Sequence, residues 1–465
     1  MSTDARGSRA GARMLCVEVG STITKVNAFA VDGDRLRLTA QGFAPTSVTR
    51  ASAASGDIDA SDPGDVTIGV LAALSDANFS EADLASHEVF LNSSAAGGLR
   101  MTVHGLTRSM TARAAHEASL GAGAIAKLVT AGELDADDLD HINAINPTII
   151  LLAGGVDDGE KRTVVANAEA LASLHLGVPV VYAGNVAARH AVQRAFAGQD
   201  LLIADNVFPD VDVLNITPLR TLIQQVFNAH IVHAPGMGRL AELVGASGDP
   251  TRILPTPGAV LLASEIFADA VGDIVAVDVG GATTDVHSVT DGSPEFTRLM
   301  TDPEPRAKRT VEGDLGVFVN AASVAATGDS AWLARLDDLA AVPATDRQLE
   351  LTRWLTMRAA EIGVRRHAGR LLDLYTPSGK KQVVRGKDLT AVAHVVATGG
   401  ALTRVPGAAD VLTRLCTGPG EHLLPRPGAR IHLDRDYLFS ALGTIAVRHP
   451  GLVGATLATW AKEPA

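Results

Sequence analysis

The chain has 465 residues, enough for two or three domains, and is 46% apolar but only 4% aromatic. Its 40 Lys and Arg against 52 Asp and Glu leave a net charge of −12, which argues against a nucleic-acid or anionic-membrane footprint, as the scarcity of rings argues against base stacking. Two distant cysteines outside any CxxC, Cys16 and Cys416, and no apolar stretch long enough to span a bilayer give the expectation of a reducing cytoplasm.

Residues 1–13 (MSTDARGSRAGAR) are polar, lack the apolar centre of a signal peptide and are expected to form a disordered tail. Residues 14–26 (MLCVEVGSTITKV) run as an apolar strand through Cys16 to Glu18, then turn through Gly20, Ser21 and Thr22 to Thr24 and Lys25. Asp32-Gly33-Asp34 is a short turn between further strands, so three antiparallel strands open the chain. Residues 66–74 and 82–84 read as helical, and 88–92 as a strand ending in the small-residue turn 93–98 (SSAAGG). Residues 111–131 read as an Ala-rich helix interrupted by glycines. Gly121-x-Gly123-x-x-Ala126 imitates a dinucleotide fingerprint but lacks the strand that must precede it. From Pro147 to Asp205 strand and helix alternate, which predicts a parallel sheet. The turn 154–159 after its first strand is read as a tight strand-to-helix connection rather than an anion or partner site.

Pro255-Thr256-Pro257-Gly258 opens a helix just upstream of 274–288 (IVAVDVGGATTDVHS). There an apolar strand reaches Asp278 and turns through Gly280, Gly281, Ala282 and Thr283 to Thr284 and Asp285. The segment 306–316 (RAKRTVEGDLG) reads as charged and exposed. Helices are expected through 332–374, with Arg365, Arg366 and Arg370 on solvated faces. Residues 392–400 form a buried strand ending in Gly399-Gly400, followed by a helix start at Ala401, and 437–448 form a helix with the small patch Ala441-Leu442-Gly443.

The two glycine turns share one grammar. Glycines let the backbone turn sharply and bring bare N–H groups near a ligand. Successive N–H groups with hydroxyls form a nest for phosphate oxygens. The carboxylates at the strand ends cannot hold phosphate directly, and make sense with a divalent cation such as Mg²⁺ between them. Paired, the turns are expected to grip one polyphosphate from opposite sides.

The order of these motifs resembles the actin, sugar kinase and heat-shock chaperone ATPase superfamily. Glu18 to Lys25 corresponds to its first phosphate loop, 255–264 to its first connecting helix and 278–285 to its second phosphate loop. Residues 397–406 (ATGGALTRVP) correspond to its adenosine loop and 441–446 to its second connecting helix. Almost end to end, the chain is similar to the MutL-type accessory proteins of methylaspartate (glutamate) mutase, on SSAAGGLRM (93–101), LLAGG (151–155), DVGGATTDVHS (278–288) and RTVEGDLG (309–316). The implied fold is α/β: a two-lobed actin-like ATPase of duplicated ribonuclease-H-like domains, with a parallel α/β unit inserted in the first half at about 147–205. The expected division is 14–265 as first lobe, 272–436 as second, and 437–465 returning to the first.

The resemblance implies an ATP-binding, Mg²⁺-dependent partner of an adenosylcobalamin-dependent mutase, acting as a reactivating chaperone through lobe closure, with at most slow hydrolysis. On it, Glu18 and Asp278 hold the cation's waters and Asp285 orients the attacking water. Gly20, Ser21, Thr22, Thr24, Lys25, Gly280, Gly281, Ala282, Thr283 and Thr284 line the phosphates; Gly399 and Gly400 leave room for the adenosine, where any Cβ would meet it, and Ala401 follows them in the same nucleotide-binding loop. The chain departs from the family at Glu18, usually Asp, and at Leu254, where the chaperones carry a water-orienting Glu. Asp285-x-His287 begins like a base-off cobalamin motif but ends in Thr290, so no cobalamin is expected on this chain; His230 and His233 are read as structural. Homo-oligomerisation is left open. The rival readings are a hydantoinase/oxoprolinase-like amidohydrolase, a small-molecule kinase, and a nucleotide-binding scaffold that does not hydrolyse.

Overall fold

A computed structural model describes residues 13–47, 66–94, 99–108, 110–231, 237–243, 249–377 and 379–462. The expected tail before Arg13, most of the 93–98 turn and His233 lie outside these.

β1 (Arg13–Val19), β2 (Ile23–Asp32) and β3 (Arg35–Pro45) form an antiparallel meander. α1 (Val66–Asp76) covers it, the short α2 (Glu81–Leu84) follows, and β4 (Glu88–Ser93) pairs parallel with β1. The chain then builds a separate parallel sheet from β5 (Arg100–Gly105), β6 (Ile125–Ala131), β7 (Ile149–Leu152), β8 (Val180–Tyr182) and β9 (Leu201–Ile203), in the order β6-β5-β7-β8-β9. Its connections carry α3 (Thr111–Gly121), α4 (Ala136–Ile145), α5 (Arg162–Ser173) and α6 (Arg189–Ala195). α7 (Thr217–Ile231) and α8 (Met237–Leu243) lead back to β10 (Ile253–Pro255), which joins β4 and completes the order β10-β4-β1-β2-β3.

α9 (Thr256–Val271) crosses to a second sheet. β11 (Ile274–Val279), β12 (Thr284–Val289) and, after α10 (Pro294–Thr297), β13 (Ala307–Glu312) repeat the meander. α11 (Ala321–Ala325), α12 (Ser330–Leu333) and α13 (Asp346–His367) precede a detached hairpin of β14 (Arg370–Thr376) and β15 (Gly379–Arg385). β16 (His394–Thr398), α14 (Gly400–Arg404), α15 (Asp410–Leu415) and β17 (Arg430–Leu433) complete the order β13-β12-β11-β16-β17. α16 (Leu438–Ala446) and α17 (Pro450–Trp460) end the described chain.

The two mixed sheets repeat one topology: a meander of three antiparallel strands whose first member continues through two parallel ones. That is the duplicated arrangement of an actin-like fold. A core of Met14, Cys16, Phe29 and Phe90 from the first sheet and Ile274, Ala276, Val289 and Val396 from the second encloses α9 and α16 between them. The helices cross closely: a Cβ on Gly443 would lie 1.8 Å from the Ala259 carbonyl oxygen. No helix of the described residues is long and apolar enough to cross a membrane.

Several elements differ from expectation. The helix expected over 111–131 stops at Gly121, because Gly123 takes φ +80° and a left-handed glycine ends a helix; 125–131 is instead the edge strand β6. The parallel sheet therefore begins at Arg100, not near Pro147. The segment 306–316 is not a solvated stretch. Its first half is β13, with Lys308 and Arg309 buried and paired: Lys308 meets Glu304 at 2.8 Å and Glu117 at 3.1 Å. The helical expectation for 332–374 fails after His367, where the β14–β15 hairpin begins.

Candidate functional site

Each glycine turn closes with the same hydrogen bond. Gly20 N–H donates to Ile23 O at 3.1 Å, and Gly280 N–H donates to Thr283 O at 2.9 Å. Val19 pairs with Thr24 and Glu18 with Lys25 in the first hairpin; Val279 pairs with Thr284 and Asp278 with Asp285 in the second. The turns face each other closely enough that a Cβ on Gly281 would lie 3.0 Å from the Thr22 hydroxyl oxygen. Between them opens a cavity of about 510 Å³, within the range of small-molecule and cofactor sites. Glu18, Gly20, Ser21, Thr22, Lys25, Asp278, Gly280, Gly281, Ala282, Thr283, Asp285, Gly399, Gly400 and Ala401 all line it.

Thr24 and Thr284 do not. Strand alternation turns them away from the cavity: Thr24 pairs its hydroxyl with that of Thr46 at 3.0 Å, and Thr284 donates to Leu315 O at 2.7 Å. Their hydroxyls brace the turns from behind. The second half of the 306–316 segment, with the residues after it, has the same role. Val317 N–H donates to Gly280 O at 3.1 Å, and Phe318 N–H to Gly281 O at 2.9 Å. The expected reason for Gly399 also changes. With φ +80°, a Cβ there would stand 2.2 Å from Asp278 Oδ1; the glycine lets the adenosine-type loop pass the carboxylate, whether or not a ligand is bound.

The charges are arranged unequally. Lys25 reaches Glu18 at 2.7 Å, and the Ser440 hydroxyl donates to the other Glu18 oxygen. Burial opposes the Lys25 charge, but Glu18 outweighs it and raises the ammonium above its usual range. Lys25 also sits 4.5 Å from the centre of the Tyr437 ring, with Arg404 at 4.9 Å on the same ring, a pair of cation–π contacts. Asp285 is held: Arg309 Nε donates to it at 2.8 Å and Thr283 Oγ1 at 3.1 Å. Asp278 accepts no side-chain hydrogen bond among the described residues. Burial first, then Asp285, pushes it up to about 7 against the pull of Lys25. A recessed carboxylate raised in this way is a group in want of a cation.

Sequence reasoning missed Arg309, His287, Tyr437, Arg404 and Ser440, which also line the cavity. Arg309 sits opposite His287 in the β12–β13 ladder. The only signal for either was position, since both fall on the strand face that carries Asp278 and Asp285.

The sequence profile of a family described as MutL protein matches residues 14–459. The chain is 36% identical over 382 residues to Protein MutL of Clostridium tetanomorphum, covering 76% of this chain and 81% of that one. Among solved structures it is similar to component A of the Acidaminococcus fermentans (R)-2-hydroxyglutaryl-CoA dehydratase, at 10% identity over 97% of this chain and 100% of that one, with a TM-score of 0.29. It is also similar to the xylulose kinase of Bifidobacterium adolescentis, at 11% identity over 96% and 94%, with a TM-score of 0.29.

Proposed function

The chain belongs to the MutL protein family, and from that premise we propose that it binds ATP with Mg²⁺ between its two sheets and serves a cytoplasmic, adenosylcobalamin-dependent mutase of the glutamate mutase type as a reactivating partner. The observation that carries this reading is the face-to-face pair of turns, with Thr22 and Gly281 within contact distance across one cavity. Backbone N–H groups of 21–22 and 281–283, with the Ser21, Thr22 and Thr283 hydroxyls, would receive the phosphates, while the Gly20 and Gly280 N–H groups close the turns. Thr24 and Thr284 would act through the turns they brace.

Mg²⁺ would neutralise phosphate charge, and the residues present fit it. Asp278 is a carboxylate with no side-chain hydrogen bond among the described residues, and Glu18, whose oxygens meet Lys25 and Ser440, lines the same cavity. Among the described residues no three metal-ligating side chains converge, which suits an ion that keeps most of its waters and leans on one or two carboxylates plus phosphate. Because Arg309 and Thr283 already occupy Asp285, we assign Asp285 to fixing the second turn, and orientation of the attacking water to Asp278. Leu254, buried on β10, offers no carboxylate for that task, so hydrolysis is expected to be slow.

Hydrogen bonds to charged groups contribute about 1.5–3 kcal/mol each. A preference of about 5.5 kcal/mol takes a two-state hinge from mostly open to mostly closed. A few phosphate contacts made only in the closed form therefore suffice to drive closure, with α9 and α16 sliding at Gly443. Closure would loosen the mutase and release damaged cobalamin. We place the mutase contact on the inserted parallel sheet. Its loops after β7, β8 and β9 are tied through Asp157 and expose Val186, Val211 and Val213.

The test is release of an inert cobalamin from mutase with Mg·ATP present. Wild-type protein is expected to accelerate it and Asp278→Ala to lose at least ten-fold of that effect; equal release by both ends the coupling. Val211→Asp with Val213→Asp is expected to abolish mutase pull-down while leaving Mg·ATP binding intact.

A further inference from the structure

Tyr437 stands where a tyrosine is not expected. It is the residue before α16, with φ 53° and ψ 41°. A left-handed backbone favours glycine or asparagine, and a bulky side chain held there is an outlier. The tyrosine is buried all the same, and it lines the cavity between the glycine turns. Backbone strain of this kind clusters at functional sites, so the ring calls for a use beyond packing.

The ring is the meeting point of two cations, one from each mixed sheet. Lys25, in β2, brings its ammonium within 4.5 Å of the ring centre. Arg404, at the end of α14, brings its guanidinium carbon within 4.9 Å, and its Nε donates to the Tyr437 hydroxyl at 3.0 Å. Phe43 of β3 steadies the ring from the first-sheet side, edge to face with centroids 5.9 Å apart. On the second-sheet side, a Cβ on Gly400 would lie 3.5 Å from the Tyr437 hydroxyl oxygen, so the adenosine-type loop passes against it. Lys25 divides its charge between Glu18 and the ring. Arg404 makes no ion pair among the described residues; its hydrogen bond and its cation–π contact are both to Tyr437.

An aromatic face attracts a cation without neutralising it. A carboxylate in the same place would cancel both charges and repel a phosphate. We infer that Tyr437 is a positioning residue of the nucleotide site: its ring and hydroxyl hold one cation from each sheet at the cavity, uncancelled, for a polyphosphate that lies between them. For its ligand this rests on the nucleotide reading; for the two cations it rests on the contacts of the ring alone. It also accounts for a tyrosine in a left-handed position, since glycine or asparagine would relax the backbone and leave Arg404 unheld.

Two measurements on the full chain test it. In the nucleotide-free protein, the side-chain NMR signals of Lys25 and Arg404 are expected to carry upfield ring-current shifts in wild type and in Tyr437→Phe, and to lose them in Tyr437→Leu. By calorimetry, Tyr437→Leu is expected to bind Mg·ATP about ten-fold more weakly than wild type, and Tyr437→Phe, which keeps the ring face, to stay within about three-fold. In an Arg404→Met background, where one of the two cations is gone, the further loss on Tyr437→Leu should shrink to about three-fold or less, because residues that act through each other are not additive. A ring that only packs gives the same loss in both backgrounds. That result, or unshifted Lys25 and Arg404 signals in wild type, overturns the proposal. If Tyr437→Leu does not fold, Tyr437→Asn, which accepts the left-handed backbone, takes its place. Failure of wild type to bind Mg·ATP removes the nucleotide reading, and the NMR shifts then decide by themselves whether the ring holds the two cations.

Discussion

Asp278 shows how much of the site rests on single residues. It is the carboxylate of the site that accepts no side-chain hydrogen bond among the described residues, and its ionisation is resisted by burial and by Asp285. In the protein without nucleotide it is therefore a liability above pH 7. A folded pKa above the unfolded one gives stability that is full below about pH 4 and lost as the pH rises through about 7. Asp278→Asn is expected to melt higher than wild type at pH 8 while binding Mg·ATP at least ten-fold more weakly; calorimetry and thermal melts report both. Gly399→Ala attacks the same carboxylate from the other side. A left-handed backbone costs an L-residue about 1–3 kcal/mol, and the new Cβ would displace Asp278. Urea denaturation should show at least that loss, with nucleotide affinity falling alongside it. That Glu18 and Asp278 meet at one cavity could be anticipated because a carboxylate at the end of an apolar strand, two residues before a glycine, has few structural uses. Thr24 and Thr284 were misread because a hydroxyl beside a glycine turn looks like a phosphate donor until strand alternation turns it inward. Arg309 was invisible because RAKR reads as surface, and only Asp285 and the Leu120 carbonyl make it a buried residue.

Among the elements, the hairpins flanking each glycine turn and the strand–helix alternation of 147–205 could be read from apolar runs and turn residues alone. β6 and β13 could not. β6 is an edge strand with a half-exposed pattern, preceded by alanines that favour helix. β13 carries its charges inward, Lys308 against Glu117 and Arg309 against Asp285 and the Leu120 carbonyl, all distant in sequence. The α9–α16 crossing was announced only by the small residues around Gly443. There the Ala259 carbonyl already occupies the space a methyl group would need. Gly443→Ala must push the helices apart, and overpacking of this kind costs about 1–3 kcal/mol. The expected signature is a matching loss in denaturation midpoint with a changed nucleotide-induced compaction by small-angle scattering, because these helices join the two sheets.

Across the whole molecule, several buried groups must stay neutral for the folded state to keep its stability. His104, bonded to Thr102 and Thr130, and His287 are pushed down to about 3 by burial, and His432 to about 4 by burial and His394. Each folded pKa lies below the unfolded value near 6.5, so the unfolded chain binds more protons below that pH. Stability is then full above about pH 6.5 and falls as the pH drops toward 4, by up to about 1.4 kcal/mol per pH unit for each group. His104→Gln should flatten that slope by about one proton, measured from denaturation midpoints between pH 6.5 and 4.5. Nucleotide acts on the same balance from the other direction. A ligand that binds only the folded chain at one hundred times its dissociation constant adds about 2.7 kcal/mol. With an unfolding entropy of about 2.1 cal/mol/K per residue, that is a rise of roughly 3 °C for a chain of this length. Because the turns come from different sheets, closure by Mg·ATP should stabilise both sheets together. Hydrogen exchange is expected to slow in β1–β2 and in β11–β12 at the same nucleotide concentration, and protection confined to one hairpin would mean that the two turns do not share a ligand.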